Sequence, residues 1–210
     1  LALVSGSSNK SFTTTHRGGD DMKVMDYLKT VPTTESNFIV IHLEGSHDRY
    51  RDRIPPDFDR IHVDGNSEKV DDYDSSIKYT DEVLKNIYQY AKDNLNLEAM
   101  VYFGDHGEDM VRFHGDGIFT WDMIHSPCFV YLSSEYKNNH SAVANNLRVN
   151  ENRIFTNDLV YDMVCGIFAA PNNEYDKEYD ITSADYGLRK DMAVTKYGKI
   201  RIAEDAGLSD

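Results

Sequence analysis

A chain of 210 residues can bury one substantial core, and one domain is the default expectation. It is 40% hydrophobic and 28% charged, ordinary for a globular domain. Apolar runs such as residues 38–43 and 128–132 fall far short of the ~20 residues of a membrane span. The formal charge of −14 repels phosphate backbones, so no nucleic-acid partner is expected. Cys128 and Cys165 each sit in an apolar run, without a CxxC pair or a disulfide framework, and read as buried free thiols. Leu1-Ala2-Leu3-Val4 lacks the basic flank and length of a signal peptide. The chain is therefore expected to be soluble as it stands, with any membrane attachment made through segments outside it.

Residues 1–19, rich in Ser, Thr, Asn and Gly, read as a flexible lead-in to a single domain over 20–210. Thr13-Thr14-Thr15-His16 sets hydroxyls beside an imidazole, but a nucleophile needs a rigid supporting shell, and in a polar tail the stretch reads as loop. Asp20 or Asp21 caps a short helix through about Leu28, and Pro32 ends that segment. Residues 37–43, β-branched and aromatic, read as a central strand, with His42 inside it as a packed core or near-site histidine. The run ends in Glu44-Gly45-Ser46-His47, which leaves His47 in the loop at the strand's carboxyl end. Arg51 and Arg53 follow in a loop stiffened by Pro55 and Pro56, where guanidinium groups suit an anion. Each Arg taken singly is equally at home on a plain surface loop.

Residues 71–95 form the clearest helical pattern, with an apolar stripe of Tyr73, Ile77, Thr80, Leu84, Ile87, Ala91 and Leu95. A strand over 99–104 comes next. Strand, helix and strand make a βαβ crossover, so the strands at 37–43 and 99–104 should be parallel. Another strand is expected at 128–132, then a polar, Asn-rich excursion over 133–153 and a helix over 158–169 capped by Thr156 or Asn157. The acidic stretch 172–190 is weakly patterned. Residues 192–195 and 199–203, with Tyr197-Gly198 between them, suggest a hairpin at the sheet edge.

The densest chemistry follows the strand at 99–104, in Gly104-Asp105-His106-Gly107-Glu108 with His114 just beyond. Ligands at a strand's carboxyl end sit where open α/β sheets place their sites. A carboxylate beside an imidazole suits zinc or manganese. Asp-His alone reads as readily as a polar turn, but a parallel strand delivering His47 to the same edge favours a site. His125 stands at the entry of the strand at 128–132, a position that fits support of a site better than ligation.

These stretches together resemble a known family. Residues 39–47, then Tyr50, Arg53 and Pro55, resemble the apolar–G-S-H–Y–R–P signature of lipid A phosphoethanolamine transferases, of the alkaline phosphatase/sulfatase superfamily. Residues 73–81 resemble that family's Y-D-N-S-I-x-Y-T-D helix start, and residues 102–108 its S-D-H-G-E metal motif. His114-Gly115 and His125-Ser126-Pro127 fall where it has H-G and H-V-P. The resemblance covers roughly residues 37–170. It implies an α/β fold: an alkaline-phosphatase-like α/β/α sandwich with a mostly parallel central sheet, here its carboxyl-terminal portion. It implies Zn2+, with Mn2+ or Ca2+ as alternatives, held by Asp105 and His106. It assigns catalysis to Glu108 and His114, and the substrate to His47, His114 and His125. A threonine would attack a phospholipid donor, and the resulting phosphoethanolamine-enzyme would pass its group to a lipid or glycan acceptor, on the periplasmic face of the inner membrane. Sulfatase, phosphoglycerol transferase or phosphodiesterase chemistry in the same superfamily, or an inactive binding fragment, is the alternative. The family's nucleophilic Thr, its first metal Glu and its membrane domain lie before the G-S-H signature, and residues 1–36 do not read as them. The isolated chain is therefore expected to be inactive.

Overall fold

The computed structural model describes residues 8, 10–11, 20–115, 117–196 and 198–207; the lead-in expected over 1–19, with Thr13–His16, lies almost wholly outside them. The chain divides into two compact units, Leu1–Leu97 and Glu98–Asp210, each described here by itself.

In the first unit a 3-10 turn, Asp21–Lys23, leads into α1, Val24–Leu28, and Asp20 caps it by accepting the Met22 N–H at 2.9 Å. The dominant element is α2, Glu68–Asn94, capped by Ser67. Its buried face keeps Thr80, Ile87 and Ala91 of the expected stripe but is turned partly away from the rest of it. Ser75, Ser76, Tyr79 and Val83 are buried, while Ile77 is 41% exposed. Hydroxyls make this possible. Ser75 Oγ donates to the Asp71 carbonyl at 2.6 Å and accepts the Ile61 N–H at 2.9 Å. Ser76 and Thr80 donate to the carbonyls of Tyr73 and Ser76. A buried polar group that is hydrogen-bonded costs little, so the face admits serine where an apolar pattern alone would not place it. Tyr50 and Phe58 pack edge-on against Tyr73 and Tyr79 of this helix.

The central strand expected over 37–43 does not form: these residues belong to no strand, and Phe38 and Val40 are 67% and 57% exposed. His42 is likewise exposed rather than packed. Strand propensity measures how well a residue fits a paired, half-buried surface. Among the described residues no neighbouring strand supplies that surface. The parallel βαβ crossover is absent with it.

The second unit holds β1, Ala99–Phe103, and β2, Cys128–Leu132, paired antiparallel with Val101 opposite Val130. The described sheets are therefore two antiparallel pairs rather than a mostly parallel sheet. Ala99, Val101, Val130 and Leu132 point to the core, while Tyr102 and Phe129 stack on the other face at 5.1 Å. Cys165 is buried as expected, but Cys128, at the outer end of β2, is exposed.

The excursion expected over 133–153 is instead two helices, α3, Ser134–Asn139, and α4, Ser141–Asn150. Asparagine hides their pattern, but Tyr136, Val143, Ala144 and Leu147 fall at helical spacing and face the core. A 3-10 turn, Asn157–Leu159, precedes α5, Val160–Ile167. The weakly patterned acidic stretch completes the core with Ile181, Tyr186 and Leu188 around the fully buried Met163. The expected hairpin forms as β3, Val194–Thr195, and β4, Ile200–Arg201, but as a separate pair rather than an edge of the first sheet.

The rotated face of α2 gives a direct test. Val83→Ala should cost about 2 kcal/mol, from the buried methylenes lost plus the cavity left. Ile77→Ala should stay within about 0.5 kcal/mol. Urea unfolding of the two variants measures the difference, and the expected apolar stripe demands the reverse order.

Candidate functional site

The chemistry of the second unit gathers where β1 leaves its ladder. Gly104 N–H donates to the Pro127 carbonyl at 3.0 Å, so the strand end is tied to the start of β2. Asn157 Nδ2 donates to the carbonyls of Gly104 and Asp105 at 2.9 and 3.1 Å. Asn157, expected only as a possible helix cap, is thus a brace for the turn that carries Asp105. Gly107 then lies flush against a second segment. Its N–H donates to the Met123 carbonyl at 2.8 Å, and a Cβ there would stand 2.2 Å from the Asp122 oxygen and 2.3 Å from the His125 oxygen. Only glycine permits that approach.

Asp105 Oδ1 accepts the His106 N–H at 3.0 Å. His106 Nδ1 lies 2.8 Å from the Gly107 carbonyl oxygen. A carbonyl only accepts, so Nδ1 carries the proton and Nε2 keeps the lone pair. His114 repeats the arrangement with a carboxylate, its Nδ1 lying 2.6 Å from Glu108 Oε2. The Glu108 side chain is buried. The rings of His106 and His114 stand 5.0 Å apart between centroids. Asp109, which the sequence did not single out, turns the chain back so that His114 can reach Glu108. Its Oδ1 accepts the Val111 and Arg112 N–H groups, both at 2.8 Å. These N–H donors hold the Asp109 carboxyl below its usual range.

His125 lines a cleft of about 1340 Å³ together with Asp105, His106, Ser126, Cys128 and Asn157. Its Nε2 is 2.7 Å from Oδ2 of Asp205, a residue 80 positions away that the sequence did not reveal. Burial alone would raise the Asp205 carboxyl, but hydrogen bonds from the Gly207 N–H and His125 outweigh it and hold the carboxyl low. The structure therefore brings Asp105, His106, Glu108, His114 and His125 into one unit.

His47 belongs to the first unit. Arg53 organises its loop, pairing with Glu44 at 2.9 Å and placing Nη2 3.3 Å from His47 Nδ1. Asp21 accepts the Glu44 and Gly45 N–H groups at 3.1 and 2.8 Å, and Gly45 takes a positive φ of 54°. Burial pushes the Asp21 carboxyl up despite these donors. Arg53 thus braces the turn, and Arg51 pairs with Glu68.

The donor chemistry suits zinc. Asp105 offers oxygen and His106 an Nε2 lone pair, its ring fixed by the Nδ1–H bond to the Gly107 carbonyl. Among the described residues, however, no three His, Cys, Asp or Glu side chains are grouped as a closed metal site requires. Asp105 and His106 fit as two ligands of a larger set. No helix among the described residues is long and apolar enough to cross a membrane.

Comparison with known proteins bears on the family and the fold. The model of the family described as Sulfatase matches residues 2–164. Phosphoethanolamine transferase EptA of Helicobacter pylori is 26% identical over 139 residues, 59% of this chain and 27% of that protein. The Kdo(2)-lipid A phosphoethanolamine 7''-transferase of Salmonella typhimurium is 25% identical over 134 residues, 56% of this chain and 23% of that protein. The chain thus matches about a quarter of the length of these two relatives. The crystal structure of the C-terminal periplasmic domain of EptC from Escherichia coli superposes with a TM-score of 0.69 at 18% identity, over 90% of this chain and 58% of that one. At that identity the likeness establishes the fold.

Gly107→Ala should destabilise the chain by about 1–3 kcal/mol, because the new methyl must displace backbone. Thermal unfolding measures it. Asp109 gives a pH test. Its folded pKa lies below the unfolded value near 3.9, so its contribution is complete above that value and is lost as pH falls through the folded pKa. Asp109→Asn keeps the acceptor oxygen but not the charge. Its stability should therefore fall less steeply than wild type below about pH 4.

Proposed function

The chain belongs to the sulfatase family, and we propose that it is the carboxyl-terminal catalytic part of a phosphoethanolamine transferase. The reaction is transfer of phosphoethanolamine from phosphatidylethanolamine to a lipid A or other envelope-glycan acceptor, through a phospho-threonine intermediate. The observation that carries this reading is the turn at the end of β1. There Asp105, His106, Glu108 and His114 stand in the order of the transferase motif, with each imidazole oriented through Nδ1, by the Gly107 carbonyl for His106 and by Glu108 for His114. The relatives named as phosphoethanolamine transferases support the same reaction class.

In this reading Asp105 and His106 would hold zinc, whose chemistry when bound would be Lewis-acid polarisation of a phosphoryl oxygen. The chain's own residues set the geometry around it. Asn157 and Gly107 fix the ligand turn through its backbone. Glu108 orients the His114 ring through Nδ1, in the position the family motif gives to catalysis. His125 faces the substrate from the cleft. The donor in this reading is a membrane phospholipid, and the likeness to the C-terminal periplasmic domain of EptC supports a reaction on the periplasmic side of the inner membrane. The family match taken alone carries a second reading, hydrolysis of a sulfate ester or transfer of phosphoglycerol.

The test uses the full-length protein that contains this chain. Mass spectrometry of lipid A reports transfer. Asp105→Ala and His106→Ala should each reduce it to background, and chelation should do the same until zinc is returned. Undiminished transfer by both variants sinks the assignment. Turnover of an aryl sulfate in place of phosphatidylethanolamine selects the second reading.

A further inference from the structure

The Asp205 side chain is only 3% exposed, whereas His125 is 43% exposed toward the cleft. Both carboxylate oxygens of Asp205 are committed. Oδ2 faces His125 Nε2 at 2.7 Å, and Oδ1 accepts the Gly207 N–H at 2.8 Å. The Asp205 N–H donates to the Ile202 carbonyl at 3.0 Å and closes the 3-10 turn Ile202–Glu204, so the carboxylate is fixed from its own backbone. A carboxylate only accepts, and the ring nitrogen facing it must carry a proton. Neutral His125 is therefore the Nε2–H tautomer, and its Nδ1 has no hydrogen-bond partner among the described residues.

We infer that Asp205 is a positioning residue that locks His125 as the Nε2–H tautomer and keeps its Nδ1 lone pair available to the hydroxyl of the incoming acceptor. The kinetic part of this inference rests on the transferase reading above; the tautomer does not. In the acceptor half-reaction Nδ1 takes the hydroxyl proton as the acceptor oxygen bonds to phosphorus. The bond from phosphorus to the threonine oxygen breaks, and its electron pair stays with that oxygen. The imidazolium formed at His125 is stabilised by the Asp205 carboxylate, the role a buried aspartate plays beside a catalytic histidine. The turn at 202–207 is thus part of the site, although it lies about a hundred residues beyond the motif that marks the site in the sequence.

The geometry makes an unusually specific forecast for Asp205→Asn. An amide has one oxygen, and the Gly207 N–H needs it. The amide nitrogen then faces Nε2 and donates, so the imidazole proton must move to Nδ1.

Nitrogen NMR of the histidine-labelled 210-residue chain reads this directly, with His125→Gln assigning the signal. The unmodified chain should show His125 as Nε2–H, a result that needs no variant to fold. Asp205→Asn should show Nδ1–H. In the full-length protein the same substitution should lower kcat for transfer by roughly 10²-fold, the scale of one proton-transfer contribution, with KM little changed. An Nδ1–H signal in the unmodified chain, or the same tautomer in both, overturns the lock. A shifted tautomer with unchanged kcat overturns the role of Nδ1 in transfer. Failure of the transferase reading looks different: no transfer by unmodified protein while the Nε2–H signal of His125 stands.

Discussion

The site in the second unit depends on one close approach, that of Gly107 to the backbone of residues 122–125. The Gly107 N–H bonds the Met123 carbonyl, and the space a side chain would need is filled by the oxygens of Asp122 and His125. This contact holds the Asp105-His106 turn and the His125 segment as one object. It explains why Asp105, His106 and His125 can line one cleft although 20 residues separate the turn from His125. The ladder of β1 and β2 brings the segments near, and glycine lets them close. Brackets from outside the motif complete the arrangement: Asn157 on the carbonyls of Gly104 and Asp105, and Asp205 on His125.

The three imidazoles of the candidate site are treated alike. Each has one nitrogen facing a group that only accepts: a carbonyl for His106, Glu108 for His114 and Asp205 for His125. The proton is thereby assigned to that nitrogen, and the other keeps its lone pair. For His106 and His114 the nitrogen facing the acceptor is Nδ1, while for His125 it is Nε2. Buried or backbone-fixed acceptors set the chemistry of partly exposed rings, which is how a protein makes a histidine do one thing rather than two. In the first unit the same principle applies to the backbone. Asp21 and Arg53 hold the turn before His47 from two sides, by accepting its N–H groups and by pairing with Glu44.

Burial of polar groups runs through the rest of the fold. The helix Glu68–Asn94 turns Ser75, Ser76 and Thr80 inward because each hydroxyl has a carbonyl of the previous turn to bond. Asp180, buried in the second unit, is satisfied by Tyr175 and by the Thr182 hydroxyl and N–H, and Gly166 leaves it room. A pattern of apolar residues cannot reveal such positions, since what licenses them is a partner and not a hydropathy.

The amino-acid sequence by itself determined the local elements and the chemistry of the motif. The long helix, the strands at 99–103 and 128–132, the closing hairpin and the grouping of Asp105, His106, Glu108 and His114 all follow from spacing and residue type, which act over a few residues. It also carried the family, through several motifs in the right order. Tertiary structure decided what depends on distant partners. Residues 37–43 have the residues of a strand but no ladder, because a strand exists only with a neighbour to pair with. The strand at 99–103 pairs antiparallel with 128–132, a choice that spacing leaves open. Asn-rich α3 and α4 are helices because Tyr136, Val143, Ala144 and Leu147 find a core. Asn157, Asp109 and Asp205 look like ordinary polar residues in the chain. They become parts of the site only when folding sets each against the group it holds.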